Sequence, residues 1–235
     1  MLIRCTTVVA AATLAVLSTT GCSLVTDTGP VTTQDRAVAG VTGVRLETSG
    51  TLSITPGASP ALTVTAGSKV IARLTSEVDG EVLVLAFDGR ALTLGDVHYS
   101  LTLPRLNSLV VTGSGQTVAE SVPADALSVT VDGSGDVEMR GLDVAELHVA
   151  LTGSGTVEAE GDATTQQVRV EGSGDYAADL LDSAVATVIV AGSGSADVRA
   201  TDTLTATVRG SGDISHTGGP RVTSTVDGSG EVVAR

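Results

Sequence analysis

Three aspartates, Asp136, Asp175 and Asp213, each stand directly after a Gly-Ser-Gly triplet. Carboxylates beside turn carbonyls are the oxygen donors that Ca2+ takes, which makes these three the candidate metal ligands. Asp132 and Glu171 lie just before two of these triplets and Asp227 just before the last Gly-Ser-Gly of the chain, and they add to the acidic character. Repeats built around Ca2+ need Gly-Gly-x-Gly-x-Asp about every nine residues, however, and here the Asp adjoins the glycine once per long repeat. The residues that follow successive triplets are Gln116, Asp136, Thr156, Asp175, Ser195, Asp213 and Glu231. Acids thus alternate with neutral residues until the end, which holds like charges two repeats apart. A solvated acidic edge is the better reading; no metal and no cofactor are expected.

Catalytic chemistry is equally weakly signalled. The triplets supply seven serines, Ser114, Ser134, Ser154, Ser173, Ser193, Ser211 and Ser229. None has a recognisable base beside it, and a hydroxyl that both donates and accepts suits a stacked ladder better than a nucleophile. The histidines, His98, His148 and His216, are not spaced as a metal site or a triad. Paired carboxylates, the chemistry of glycosidases, are so common in this chain that they carry almost no information, and the chain has no Trp to stack a sugar. No catalytic residue is assigned.

The elements that hold these residues follow from the triplets themselves, whose glycines are Gly113 and Gly115, Gly133 and Gly135, Gly153 and Gly155, Gly172 and Gly174, Gly192 and Gly194, Gly210 and Gly212, and Gly228 and Gly230. Successive copies are 20, 20, 19, 20, 18 and 18 residues apart. A period of that length means a stack of similar coils. Two, four and six residues before a triplet stand Val131, Val129 and Leu127, then Leu151, Val149 and Leu147, then Val190, Val188 and Ala186, and so on to Val226, Ser224 and Val222. Alternate residues of a strand share a face, so these columns point inward. A second set follows the triplet: Val137 and Met139, Val157 and Ala159, Tyr176 and Ala178, Ala196 and Val198, Ile214 and His216, Val232 and Ala234. Each coil therefore has at least two short strands meeting at a Gly-Ser-Gly corner. Glycine reaches positive φ freely, and two glycines are expected to allow the sharp turn. The fold class is all-β, a parallel β-helix with coils of about 18–20 residues.

Composition agrees with a narrow lumen. Hydrophobic residues make up 42% of the 235, yet Phe87, Tyr99 and Tyr176 are the only aromatic ones. Val, Leu and Ala can fill a thin solenoid that has no wide core. The formal net charge of -14 argues against nucleic acid as a partner. Both cysteines, Cys5 and Cys22, precede the folded region and cannot staple it.

At the amino end Arg4 precedes an apolar run from Thr6 to Leu17, long enough for a signal-peptide core and short for a membrane span. The following Ser18, Thr19, Thr20, Gly21 and Cys22 resemble a bacterial lipobox, with Thr19 where an aliphatic residue is usual. That resemblance implies cleavage after Gly21, acylation of Cys22 and attachment to the membrane; an ordinary secretory signal or an uncleaved anchor is the alternative. All three export the chain. The expected organisation is a signal peptide over 1–21, a lipidated Cys22 with a polar tether over 22–35, and a β-helix over 36–235, irregular over 36–108 and regular over 109–235. In the irregular part, Val44 and Leu46 with Leu52 and Ile54 flank a degenerate Ser49-Gly50 corner. Ala61 to Thr65, Val70 to Leu74 and Val82 to Phe87 are strand candidates, the last following an Asp79-Gly80 hairpin turn. The irregular part is read as the same sheet system with longer excursions, and a separate small β domain is the alternative.

The ordered set VTGVRLETSGTLSITPG, EVLVLAFDG, HYSLTLPRLNSLVVTGSGQ and LHVALTGSGTVEAEG resembles the head GIN domain family of auto-transporter adhesins, from about Val41 to Arg235. The resemblance implies a right-handed parallel β-helix, an extracytoplasmic location and no catalytic residues. The function it suggests is a lipid-anchored surface module, adhesive or structural, binding an envelope protein or glycan. A carbohydrate-active enzyme on the same fold and an envelope sensor or assembly scaffold are the alternatives.

Overall fold

The computed structural model describes residues 28–89, 94–121 and 123–235. The expected signal segment and Cys22 lie outside the described residues. In chain order the strands are β1 (Val31–Arg36), β2 (Gly43–Leu46), β3 (Thr51–Pro56), β4 (Ala61–Gly67), β5 (Leu74–Asp79), β6 (Val82–Phe87), β7 (His98–Leu103), β8 (Ser108–Val111) and β9 (Gln116–Glu120). The regular part continues with β10 (Ala126–Gly133), β11 (Asp136–Gly153), β12 (Thr156–Gly172), β13 (Asp175–Gly192), β14 (Ser195–Arg199), β15 (Thr203–Gly210), β16 (Asp213–Thr217), β17 (Arg221–Gly228) and β18 (Val232–Ala234).

Parallel pairing in register with the repeat produces the solenoid. Gly133 lies beside Gly153, Gly153 beside Gly172, Gly172 beside Gly192, Gly192 beside Gly210, and Gly210 beside Gly228. One sheet carries the strands before each corner and another the strands after it. A short third side, aligned through Val144, Ala163 and Ser183, closes the coil. The uneven repeat lengths are absorbed away from the corners, at register shifts between Met139 and Leu142 and between Glu158 and Glu160. The inward columns form one continuous core in which Val129, Val131, Leu147, Leu151, Val188, Val190, Leu204 and Val208 are buried. At about 25 cal/mol per Å2 of apolar surface, this burial is the main term holding neighbouring coils together.

The two corner glycines serve different purposes. Gly133 adopts φ +136°, which disfavours any side chain. Gly135 has no such φ; a Cβ there would lie 2.7 Å from the Gly115 carbonyl oxygen and 2.7 Å from Val111 Cγ1. The expectation that both glycines serve the turn is thus corrected: only the first turns the chain, while both let one coil settle on the next, a Cβ at Gly133 lying 2.8 Å from the Gly113 carbonyl oxygen. The serine ladder is corrected as well. The corner serines are exposed, and the rungs are made by their amides, as in Ser154 N–H to Gly133 O at 2.9 Å and Ser211 N–H to Gly192 O at 2.8 Å.

The irregular part belongs to the same sheets, but its coils are stacked out of chain order. Strand β2 pairs in parallel with both β6 and β8, and β3 with both β7 and β9. The 43–56 coil is therefore inserted between coils that come later in the sequence. Beyond β7 the direction of pairing reverses: β4 runs antiparallel to β7, β1 antiparallel to β4, and β5 antiparallel to β6. The Asp79-Gly80 turn forms the expected β5–β6 hairpin, with Asp79 opposite Val82. Two boundaries differ from expectation. Val70 and Ile71 sit in a helical turn, α1 (Ser68–Ile71), that buries both against the core. Residues 31–35, expected in the tether, belong to β1, whose Arg36 donates to the carbonyls of Leu74 (2.7 Å) and Ile71 (3.1 Å).

Candidate binding surface

Each candidate Ca2+ ligand is engaged with the next coil. Asp136 Oδ1 accepts from the Thr156 amide at 3.0 Å, and Asp213 Oδ1 from the Glu231 amide at 2.9 Å. Asp175 Oδ1 accepts from both the Ser195 amide (3.2 Å) and the Ser195 hydroxyl (2.6 Å). Each acid thus bonds the backbone of the residue stacked on it, which is the neutral Thr156 or Ser195 in two cases and the acidic Glu231 in the third. Among the described residues no group of three or more His, Cys, Asp or Glu side chains could hold a metal ion.

The histidines do not converge. His98 is exposed, His148 is half-buried with its Nε2 3.4 Å from Glu146, and His216 is buried in the second column after the corner. The phenols lie in the lumen. Tyr176 occupies the column of Val157 and Ala196. Its hydroxyl donates to Gln166 Oε1 at 3.1 Å, and Gln166 Nε2 donates to Ser183 Oγ (2.7 Å) and to the Arg199 carbonyl (3.1 Å). Ser183 Oγ itself donates to that carbonyl at 2.6 Å. This network ties together the interiors of three successive coils, and burial pushes the Tyr176 phenol far above its ordinary range. Sequence reasoning passed over Gln166, although its offset of six residues before Gly172 places it in an inward column.

The outward face of the sheet before the corner carries the surface best suited to a ligand. One column runs Ser108, Ser128, His148, Gln167, Thr187, Thr205 and Thr223, and the next runs Val110, Thr130, Ala150, Arg169, Ile189, Thr207 and Thr225. Where these rows hold Ala150 and Ile189 the surface dips into an open depression of about 280 Å3. His148, Gln167, Arg169 and Thr187 rim it, so hydrogen-bond donors surround an apolar floor. Arg169 is held by Glu171 through its guanidinium. A second depression, of about 300 Å3, lies on the third side around the in-register column Asp143, Asp162 and Asp182. Arg199 pairs with Asp182 there. Neither surface was anticipated, because the corners drew attention to the residues flanking them. The outward columns were nevertheless available one position away from each inward residue.

Residues 40–220 match the family model described as "Putative auto-transporter adhesin, head GIN domain". The chain belongs to this family. Among solved structures, a "putative adhesin" of Bacteroides fragilis matches with a TM-score of 0.80 at 22% identity, over 88% of this chain and 97% of that one. A "putative lipid binding protein" of Parabacteroides distasonis matches with a TM-score of 0.71 at 22% identity, over 88% and 97%. A "putative adhesin" of the same organism matches with a TM-score of 0.67 at 21% identity, over 88% and 98%. At these identities the structural likeness shows a common fold. Nothing matches among curated protein sequences.

Proposed function

We propose that this head GIN domain chain is an exported surface-binding module, attached to the membrane through an acylated Cys22. It would hold an envelope glycan or protein on the outward face of the sheet before the corner. The observation that carries the reading is the open depression rimmed by His148, Gln167, Arg169 and Thr187 over Ala150 and Ile189. Donors spaced at strand intervals around a shallow apolar floor suit an extended ligand laid across several coils. The adhesin descriptions of the family and of two of the fold relatives support the same class of function. One acyl chain binds a membrane only marginally, so stable attachment needs a diacylglyceryl group on Cys22.

Two measurements test this. Cys22→Ser should move the chain from the membrane to the soluble fraction, and full retention would end the anchored reading. Binding to a glycan array and to immobilised envelope extract should fall about tenfold or more in the His148→Ala/Arg169→Ala variant. Equal binding by that variant and wild type would remove the depression as the site.

A further inference from the structure

The two ends of the solenoid are built differently. At the amino end the parallel coils are covered by antiparallel strands, the outermost being the short and polar β1. At the other end β17 is stacked on β15 on one edge, and its opposite edge has no backbone partner among the described residues. Every residue of β17 is exposed. Val222 and Val226 are 38% and 44% exposed, whereas Leu204 and Val208, which stand beside them in the same columns, are fully buried. The core therefore ends in an open apolar cross-section beside an unpaired edge. An uncovered edge of this kind is a template for another strand.

The inner five residues of that edge, Val222 to Val226, read the same from either end, and opposite charges flank them. In Arg221-Val222-Thr223-Ser224-Thr225-Val226-Asp227, an antiparallel copy centred on Ser224 sets Arg221 against Asp227, Val222 against Val226 and Thr223 against Thr225. Residues opposite one another in an antiparallel pair share a face. The valines and Ser224 belong to the inward columns, so they would continue the core across the junction. The threonine and charge pairs would fall on the outward face. Neither Arg221 nor Asp227 has a side-chain hydrogen bond or ion pair among the described residues, although Arg209 stands beside Asp227 in register. We propose that two copies of this chain join tail to tail through antiparallel pairing of β17 with the same strand of the second copy. Such a contact is isologous and carries two Arg221–Asp227 pairs. An isologous contact uses up this edge on both copies, so assembly through it stops at two.

Sedimentation velocity of the full chain across a concentration series tests this, with Cys22→Ser so that no acyl group drives association. Ionic strength should be near 0.15 M, which screens the repulsion between two copies of net charge -14. A concentration-dependent dimer is expected. Arg221→Asp and Asp227→Arg, taken singly, each put like charges opposite one another twice per interface and should raise the dimer Kd by about tenfold or more. The double swap Arg221→Asp/Asp227→Arg restores opposite charges and should return the Kd to within about threefold of wild type. Circular dichroism checks that each variant is folded. A wild-type chain that stays monomeric throughout, single variants that dimerise as well as wild type, or a double swap that fails to restore dimerisation would each overturn the proposal.

Discussion

Gln166 offers the sharpest test of how the lumen tolerates polarity. Its neighbours in the column are Leu147 and Ala186, so Gln166→Leu fits the stack sterically and adds apolar surface. The same change strands the Tyr176 hydroxyl, which has Gln166 Oε1 as its acceptor, in a site that excludes water. Ser183 keeps its own bond to the Arg199 carbonyl, so the damage is confined to the phenol. Stranding a buried hydroxyl costs about 1–3 kcal/mol, and the gain from Leu offsets part of this, leaving a net loss of about 1–2 kcal/mol. Tyr176→Phe alone strands the Gln166 oxygen and should cost a similar amount. With both changes nothing is stranded. The double variant should therefore cost about 1 kcal/mol or more less than the sum of the singles. Denaturant unfolding of the four proteins at neutral pH measures this coupling, and additive costs would refute the network as an energetic unit.

Burial pushes the Tyr99 phenol up to about 12, with Arg36 opposing the shift. The folded chain then keeps a proton that the unfolded chain releases above pH about 10, so stability should be complete below pH 10 and fall from there towards pH 12. Tyr99→Phe should make that decline shallower in thermal melts taken between pH 8 and 12, the remainder belonging to the buried Tyr176. Asp175→Ala removes both bonds to Ser195 and should cost about 1 kcal/mol, whereas equal stability in urea would make the corner acids ornamental. Deleting Gly133 to Thr152 joins Asp132 to Gly153 and preserves every column, so the chain should remain folded but be less stable. Deleting only Ala145 to Thr152 brings the next corner in half a coil early and should unfold more of the molecule. Circular dichroism and proteolysis of the two variants rank them, and the reverse ranking would contradict nearest-neighbour stacking.

The regular coils were legible because each carries its own register mark. A Gly-Ser-Gly triplet fixes the corner, and apolar residues at even offsets from it declare the inward face. Gln166 escaped notice because a polar residue interrupts the apolar signal while obeying its offset. The order of coils in the irregular part could not be read. Gly43–Leu46, Val82–Leu85 and Ser108–Val111 are short segments of similar character, and alternation says which side of a strand faces inward without saying which strand lies beside it. The reversal of direction in β1 and β4 was hidden for the same reason, whereas the Asp79-Gly80 turn announced that of β5. The binding surface was least legible, since outward residues in a solenoid follow no apolar pattern, and the depression emerges only when four coils are laid side by side.

The inserted position of the 43–56 coil gives the molecule a mechanical polarity. A pull on the carboxyl end meets β18 and then β17, each held along one edge, and such strands peel away with a few bonds under load at a time. A pull on the amino end, the end at which Cys22 lies, first frees β1 and then reaches β2 and β3, which are clamped along both edges by strands from later in the chain. To extract them, two ladders must give way together. The solenoid is thus hardest to unravel from the end by which a tethered chain would be pulled.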